Sequence, residues 1–221
     1  IMGDISLPWK KAYRLVKNIM CQINIGAYCN FEAIDINGKK FTEKIVNQDG
    51  ILAVLYHKVK SPIIKPICIF EDDGFHKLNI AFCFDGGGED GPEGIEDITA
   101  FSNLCPTTKG THIEGALDGI CRWFVQYMNN IYLANQKAKD KLKVNQSDIK
   151  TGLTVMISAA HLDPEFTGQA KEILSNQDMF GFCKDVVQKG LDQWSKDNPQ
   201  DLAKISKFFK EIAEIRQKGD C

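Results

Sequence analysis

The chain is organised around Leu153-Thr-Val-Met-Ile-Ser-Ala159, an apolar run of strand length that marks a short buried strand. It leads into His161-Leu-Asp-Pro-Glu-Phe-Thr-Gly-Gln-Ala-Lys171, a loop too long and too specific in its turn residues for a plain connector. Lys171 is a flexible cation on that loop, a group suited to capturing a phosphate as a point charge.

Helical sequence lies on both sides. Upstream, Thr111 and Glu114 fit a T-x-x-E capping box, and Ile113, Leu117, Ile120, Cys121, Phe124, Met128 and Ile131 form a helical stripe behind it. A basic, polar stretch from Asn135 to Asn145 separates this helix from Ser147 onward. Downstream, a helix from Ser175 or Asn176 to Trp194 presents Met179, Cys183, Val186, Val187 and Leu191. Asn198-Pro199 then caps a last helix, which buries Leu202, Ile205, Phe209 and Ile212.

Strand character fills the stretch before Pro106. Pro66–Phe70 turns at Asp72-Asp73-Gly74 into Phe75–Phe84, where His76, Leu78, Ile80 and Phe82 share one face. A third run spans Ile95–Leu104, and Pro106–Gly110 is a loop. Between the last two strands, Gly86-Gly-Gly-Glu-Asp-Gly91 is glycine-rich, but Glu89, Asp90 and Glu93 crowd it and no lysine follows at P-loop spacing. A mobile acidic hairpin tip is the better reading than a phosphate cradle. Earlier still, Asn37-Gly38 separates Cys29–Ile36 from Lys39–Lys44, a strong hairpin signal. A short helix follows over Gln48–Val59, and the chain opens with a helix that has Pro8 in its first turn and Ala12, Leu15, Val16, Ile19 and Met20 on one face. This order predicts an α+β domain with a helical tail.

Bulk properties fit a globular chain of one large domain, or a compact domain with appended helices. Hydrophobic residues make up 43%, enough for a sizeable core, and a net charge of −2 leaves no whole-molecule basic field for nucleic acid. The eight cysteines show no CxxC and no histidine at ligand spacing, so free, reduced thiols in the cytoplasm are expected over a zinc site or a disulfide framework. Cys68 and Cys83 lie in apolar runs and read as small buried thiols. No apolar run approaches the ~20 residues of a membrane span.

No complete active site stands out. His57, His76, His112 and His161 are far apart in sequence, and structural roles are expected for His76 and His112. Lys204, Lys207, Lys210, Arg216 and Lys218 on the last helix fit a solvated face, although a duplex-facing surface would look similar.

Several motifs together resemble one family. Gly110-Thr-His-Ile-Glu-Gly115 resembles the G-T-H-x-x-G element of the B subunits of DNA gyrase and topoisomerase IV. Asp148-Ile-Lys-Thr-Gly-Leu-Thr154 is similar to their D-x-R-E-G-L-x element, Asp163-Pro-Glu-Phe166 to D-P-x-F, and Gly168-Gln-Ala-Lys171 stands where the family has its Q-T-K loop. Asn37-Gly-Lys-Lys40 and Ser61-Pro-Ile-Ile-Lys-Pro66 fit the family's hairpin and its approach to the next strand.

The resemblance implies the transducer segment of a type IIA DNA topoisomerase, with a ribosomal-protein-S5-domain-2-like α+β fold. Residues 1–25 would be the end helix of an upstream ATP-binding domain, 26–197 the transducer, and 198–221 a helix leading toward a TOPRIM domain. In relatives the Q-T-K lysine reaches the γ-phosphate of ATP beside the glutamine, which places those roles on Lys171 and Gln169. Ala170 departs from the usual threonine and removes a hydroxyl. The implied cofactors are ATP with Mg2+ in the full-length protein, and the implied partners are double-stranded DNA, the topoisomerase A subunit and a second copy of the B subunit. The E-N-x-x-D-A, D-x-G-x-G, E-G-D-S-A and D-x-D-x-D elements of the nucleotide and cleavage sites are missing, so the chain alone is expected to bind no nucleotide and turn nothing over. The rival readings are a mismatch-repair-type ATPase fragment and a non-enzymatic S5-like nucleic-acid-binding module.

Overall fold

The computed structural model describes residues 9–23, 25–88, 96–134 and 142–219. The chain divides into two compact units, 1–54 and 55–221.

The first unit holds α1 (Trp9–Met20) and a hairpin of β1 (Tyr28–Ile34) and β2 (Lys40–Val46). Asn37-Gly38 makes the turn as expected. The Asp35 carboxylate accepts the N–H groups of Asn37 and Lys39 at 2.9 and 2.8 Å, Gly38 takes φ 79°, and Ile34 pairs with Lys40. Aromatic rings fasten α1 to the hairpin: Trp9 stacks on Phe41 at 4.6 Å, and Tyr13 meets Phe31 edge-on at 5.3 Å while its hydroxyl donates to Glu43 at 2.6 Å. Of the expected stripe, Met20 is buried and Ala12, Val16 and Ile19 are half-buried, while Leu15 is left 44% exposed. Pro8 lies outside the described residues.

Helix α2 (Leu52–Lys58) is shorter than the sequence predicts. Asn47 Oδ1 accepts the Gly50 N–H at 2.9 Å and Gly50 takes φ 58°, so this stretch turns before the helix begins.

The second unit contains β3 (Ile67–Asp72), β4 (His76–Phe84), β5 (Glu96–Ser102), β6 (Cys105–Thr107) and β7 (Lys109–Gly110). Then come α3 (Thr111–Tyr127), a π-helical turn (Met128–Tyr132), α4 (Gln146–Lys150), β8 (Leu153–His161), β9 (Phe166–Thr167), β10 (Ile173–Leu174), α5 (Gln177–Asp197) and α6 (Pro199–Gly219). The main sheet runs β3-β4-β8-β5-β6, and β7-β10-β9 form a small second sheet. The strand read from Leu153 is central, antiparallel to β4 and parallel to β5.

That order corrects one expectation. Because β8 lies between β4 and β5, the glycine-rich segment joins strands that do not pair, and it is no hairpin tip. Glu89, Asp90 and Glu93 lie outside the described residues, as do 135–141 of the basic stretch. The expected loop over 106–110 instead contributes β6 and β7.

Leu78, Ile80, Phe82 and Phe84 of β4 have no exposure. Phe84 meets Phe124 of α3 at 5.7 Å and Phe209 of α6 at 5.0 Å, both edge-on, so sheet, α3 and α6 share one core. Burying each such side chain contributes roughly 2 kcal/mol. Helices α3 and α5 cross closely because Gly115 and Gly119 lack side chains. A Cβ at Gly115 would run into the Phe180 carbonyl, and one at Gly119 would lie 2.9 Å from the Lys184 carbonyl.

The capping box predicted at Thr111 and Glu114 is absent. Gly110 is the N-cap, and the buried Thr111 hydroxyl has no partner among the described residues. The box forms instead at α4, where Asn145 Oδ1 accepts the Asp148 N–H and Asp148 Oδ2 accepts the Asn145 N–H. Ile131 is exposed because the helix widens into the π turn. The described cysteines are all free, and Cys83, Cys121 and Cys183 are buried. Cys68 is exposed, contrary to expectation, because Ile67 and Ile69 take the core-facing register of β3. Among the described residues, no helix is long and apolar enough to cross a membrane.

Candidate functional site

Strand β8 ends at His161, and the chain returns to helix at Gln177. Between them a narrow loop carries Gln169 and Lys171 outward on the turn Gly168–Lys171. Gly168 takes φ 80° and Lys171 φ 53°. A lysine, unlike glycine, carries a Cβ into the left-handed region, at a cost of roughly 1–2 kcal/mol. Among the described residues the other left-handed non-glycine residues are Asn103 (φ 48°) and Leu104 (φ 66°), which form the turn between β5 and β6. Asn103 lies against the start of the same loop: its Nδ2 donates to the His161 carbonyl at 2.9 Å and its Oδ1 accepts the His161 N–H at 3.1 Å. Backbone strain concentrates where surrounding structure enforces a functional conformation.

The returning limb is docked by the Gly110–Gly115 motif. Strand β10 pairs in parallel with β7, Leu174 beside Gly110. Gly110 has φ 135°, and a Cβ there would lie 2.6 Å from the Leu174 carbonyl oxygen, so this approach needs glycine. His112 is fully buried, its Nε2 hydrogen-bonded to the Thr107 hydroxyl at 2.8 Å. Burial pushes its pKa down to about 4, which fits the expected structural role. The first glycine of the motif therefore seats the loop and the last seats α5.

Nothing in the sequence signals that His76 and His161 meet. They stand side by side with ring centroids 5.2 Å apart, and both Nε2 atoms lie 3.1 Å from Asp178 Oδ2. Pairing across β4 and β8 brings them opposite one another. His76 Nδ1 is also 2.9 Å from Asp73 Oδ2. With a carboxylate facing each ring nitrogen, only the imidazolium satisfies both contacts. Burial opposes that charge, but the hydrogen bonds to Asp73 and Asp178 outweigh it and raise the His76 pKa. Asp73 is pulled down to about 2 by the His76 N–H, the His76 ring and the Phe75 N–H. Asp178 is lowered by its bonds to His76 and His161.

His76, His161 and Asp178 offer donor atoms within 4.8 Å of one another, a spacing compatible with a metal ion. The hydrogen bonding points elsewhere. His161 Nδ1 accepts the Asp163 N–H at 3.0 Å, which assigns the ring proton to Nε2. Both Nε2 atoms thus donate to Asp178 instead of offering lone pairs, and the cluster is bridged by protons.

Not every sequence candidate joins this region. His57 is exposed on α2. On α6, Lys204 pairs with Asp201, Lys207 with Glu211 and Lys210 with Glu214, all along one helix. Arg216 is turned to Asp148. The three lysine pairs favour the solvated-face reading over a duplex-binding surface, whereas Arg216 departs from it, bound to a carboxylate that is buried. Gln169 and Lys171 are exposed, and neither side chain has a hydrogen-bond or ion-pair partner among the described residues.

Residues 35–220 match the family model described as DNA gyrase B. The chain is 28% identical to the B subunit of DNA topoisomerase 4 from Francisella tularensis, an alignment covering 98% of this chain and 33% of that protein. It is 36% identical to the DNA gyrase B subunit of Spiroplasma citri over 50% of this chain and 17% of the relative. Among solved structures it resembles the topoisomerase IV ATP-binding domain of F. tularensis, determined with a small-molecule inhibitor. That match has a TM-score of 0.70 and 25% identity, and covers 97% of this chain and 56% of that one. The 43K ATPase domain of Thermus thermophilus gyrase B, in complex with an aminocoumarin, shares the fold with a TM-score of 0.76 at 19% identity, over 100% of this chain and 57% of that one. The chain thus spans about a third or less of the first two curated relatives.

Proposed function

Because the chain belongs to the DNA gyrase B family, we propose that it is the transducer segment of the ATPase subunit of a type IIA topoisomerase and that Lys171 senses the γ-phosphate of ATP. The observation that carries this reading is the state of the loop tip. Lys171 is an exposed ammonium in a strained left-handed conformation, free of partners among the described residues, on a loop fastened at its base. Gln169 beside it adds an uncharged donor. Such a pair fits the oxygens of a phosphate, which a lysine holds as a point charge.

The mechanism is electrostatic and mechanical. In the proposed assembly, a nucleotide bound to the upstream domain presents its terminal phosphate to Lys171, and the cation stabilises negative charge as the phosphoryl bond breaks. While the phosphate is present, the contact fixes the angle between the domains; its departure frees them to move. That motion closes and resets a dimeric clamp of B subunits around double-stranded DNA, with cleavage carried by the A subunit. Residues 1–25 belong to the upstream domain, 26–197 to the S5-domain-2-like transducer and 198–221 to the helix toward TOPRIM. ATP and Mg2+ are bound by the whole protein, and the chain alone has no turnover.

The test is steady-state ATP hydrolysis by the full-length protein with Lys171 intact and as Lys171→Ala. A fall of roughly a hundredfold or more in kcat, with little change in nucleotide affinity, is the expected result for a group acting on developing charge. Equal turnover would make Lys171 an ordinary surface lysine.

A further inference from the structure

We propose that Asn176, acting with His161, is the positioning element that sets where the Lys171 turn stands; this rests on the phosphate-sensing role given above. The two residues flank the loop, one at each end, and both are buried, with His161 4% and Asn176 8% exposed. Asn176 Oδ1 accepts the Glu165 N–H at 2.7 Å, and its Nδ2 donates to the Asp163 carbonyl at 3.0 Å while lying 3.4 Å from His161 Nδ1. His161 Nδ1 accepts the Asp163 N–H at 3.0 Å. The Glu165 carbonyl accepts the Ser175 N–H at 2.9 Å and the Ser175 hydroxyl at 3.1 Å. The outgoing limb, Asp163–Glu165, is therefore tied to the returning limb, Ser175–Asn176, by a closed set of polar contacts.

What Asn176 forgoes is as informative as what it binds. It is the N-cap residue of α5, a helix of 21 residues, yet its side chain makes no capping hydrogen bond. An N-cap asparagine normally accepts an N–H from the first turn of its own helix, an interaction worth roughly 1 kcal/mol. Here that oxygen is committed to the Glu165 N–H of the loop. The side chain fixes the loop and not the helix start, where Asp178 Oδ1 accepts the Met179 N–H at 3.0 Å instead, as a positioning role for Asn176 requires and a capping role does not.

The clasp holds the base firmly and leaves the tip free. Gln169 and Lys171 have no side-chain partners among the described residues, so their placement is inherited from the base and from the β7–β10 pairing. Loosening the base displaces the ammonium without removing it. A misplacement of about 1 Å in a group acting on a reaction costs roughly a hundredfold in rate.

The experiment compares four variants of the full-length protein: Asn176→Ser, His161→Asn, His161→Leu and Lys171→Ala. Serine is a good N-cap but too short to bridge both limbs, so Asn176→Ser should keep a wild-type urea transition. Its kcat should fall roughly tenfold or more at unchanged KM for ATP, and the Glu165 amide, whose acceptor is Asn176 Oδ1, should lose protection from hydrogen exchange while the Asp163 amide, held by His161 Nδ1, keeps it. His161→Asn retains an acceptor for the Asp163 N–H and should hold kcat near wild type, whereas His161→Leu should lower it as Asn176→Ser does. Wild-type kcat in Asn176→Ser and His161→Leu, with Lys171→Ala impaired, would overturn the clasp alone. Wild-type kcat in Lys171→Ala would overturn the phosphate-sensing role and the clasp with it. If Asn176→Ser unfolds, the two His161 variants decide the matter by the same readouts.

Discussion

Arg216 of α6 grips Asp148 of α4 with two prongs, Nε to Oδ1 at 2.8 Å and Nη2 to Oδ2 at 3.0 Å, at a carboxylate only 1% exposed. The same guanidinium donates to the Lys143 carbonyl at 2.8 Å, and the same carboxylate closes the Asn145 capping box. One ion pair thereby joins the end of the last helix to the turn that launches the central strand β8. Removing the arginine strands a buried charge, and breaking a buried pair costs about 3–5 kcal/mol. Arg216 is itself about a third exposed, which discounts that figure. Arg216→Met should therefore destabilise the chain by about 2 kcal/mol, read as a lower urea midpoint at constant slope.

Two glycines in neighbouring helices should respond with opposite signs. Gly115→Ala forces a methyl into the Phe180 carbonyl and should cost about 3 kcal/mol, because α3 and α5 must move apart. Gly181 of α5 has nothing within 4 Å of its would-be Cβ, so Gly181→Ala should gain about 0.5–1 kcal/mol from helix propensity. Thermal unfolding of the two variants beside wild type checks both signs.

The histidine cluster gives stability a defined pH dependence. His76 is raised above its ordinary 6.5, so its contribution is complete below that value and is lost as pH rises through the folded value. Asp73 is lowered from 3.8 to about 2, so its contribution is present above 3.8 and is lost as pH falls toward 2. Asp178, also lowered, acts in the same direction as Asp73. The cluster therefore supports the fold most strongly between about pH 4 and 6.5, the range bounded by those ordinary values. Urea midpoints at about pH 5.5 and 8.5, on either side of the ordinary histidine value of 6.5, should differ more for wild type than for His76→Gln. An equal difference would show that this histidine carries no linkage.

Local signals in the sequence were dependable where local physics decides. Asn37-Gly38 specified its hairpin, and the apolar run from Leu153 specified its strand, because turn geometry and burial act within a few residues. Sheet order was out of reach. Nothing local says that β8 inserts between β4 and β5, so neither the false hairpin nor the meeting of His76 with His161 was visible. Capping failed in both directions. Thr111-x-x-Glu114 matches the pattern, but the glycine before it takes the cap so that β10 can approach. Asn145-x-x-Asp148 works with an aspartate where the pattern asks for glutamate or glutamine. Gln169 and Lys171 were marked by resemblance, while Asn103 and Asn176, which brace the loop beneath them, carry no motif at all.

The left-handed backbone of Lys171 separates its conformational cost from its charge. At φ 53° a glycine relieves the strain and an alanine does not. Lys171→Gly should therefore be more stable than Lys171→Ala by about 1 kcal/mol, while both variants lack the ammonium and share the same fall in ATP turnover. Equilibrium urea unfolding and steady-state hydrolysis, measured on the same preparations of the full-length protein, test the two halves separately. Equal stability would mean the turn relaxes once the lysine is gone. Turnover retained in the glycine variant alone would mean that the shape of the turn matters to the reaction and the lysine charge does not.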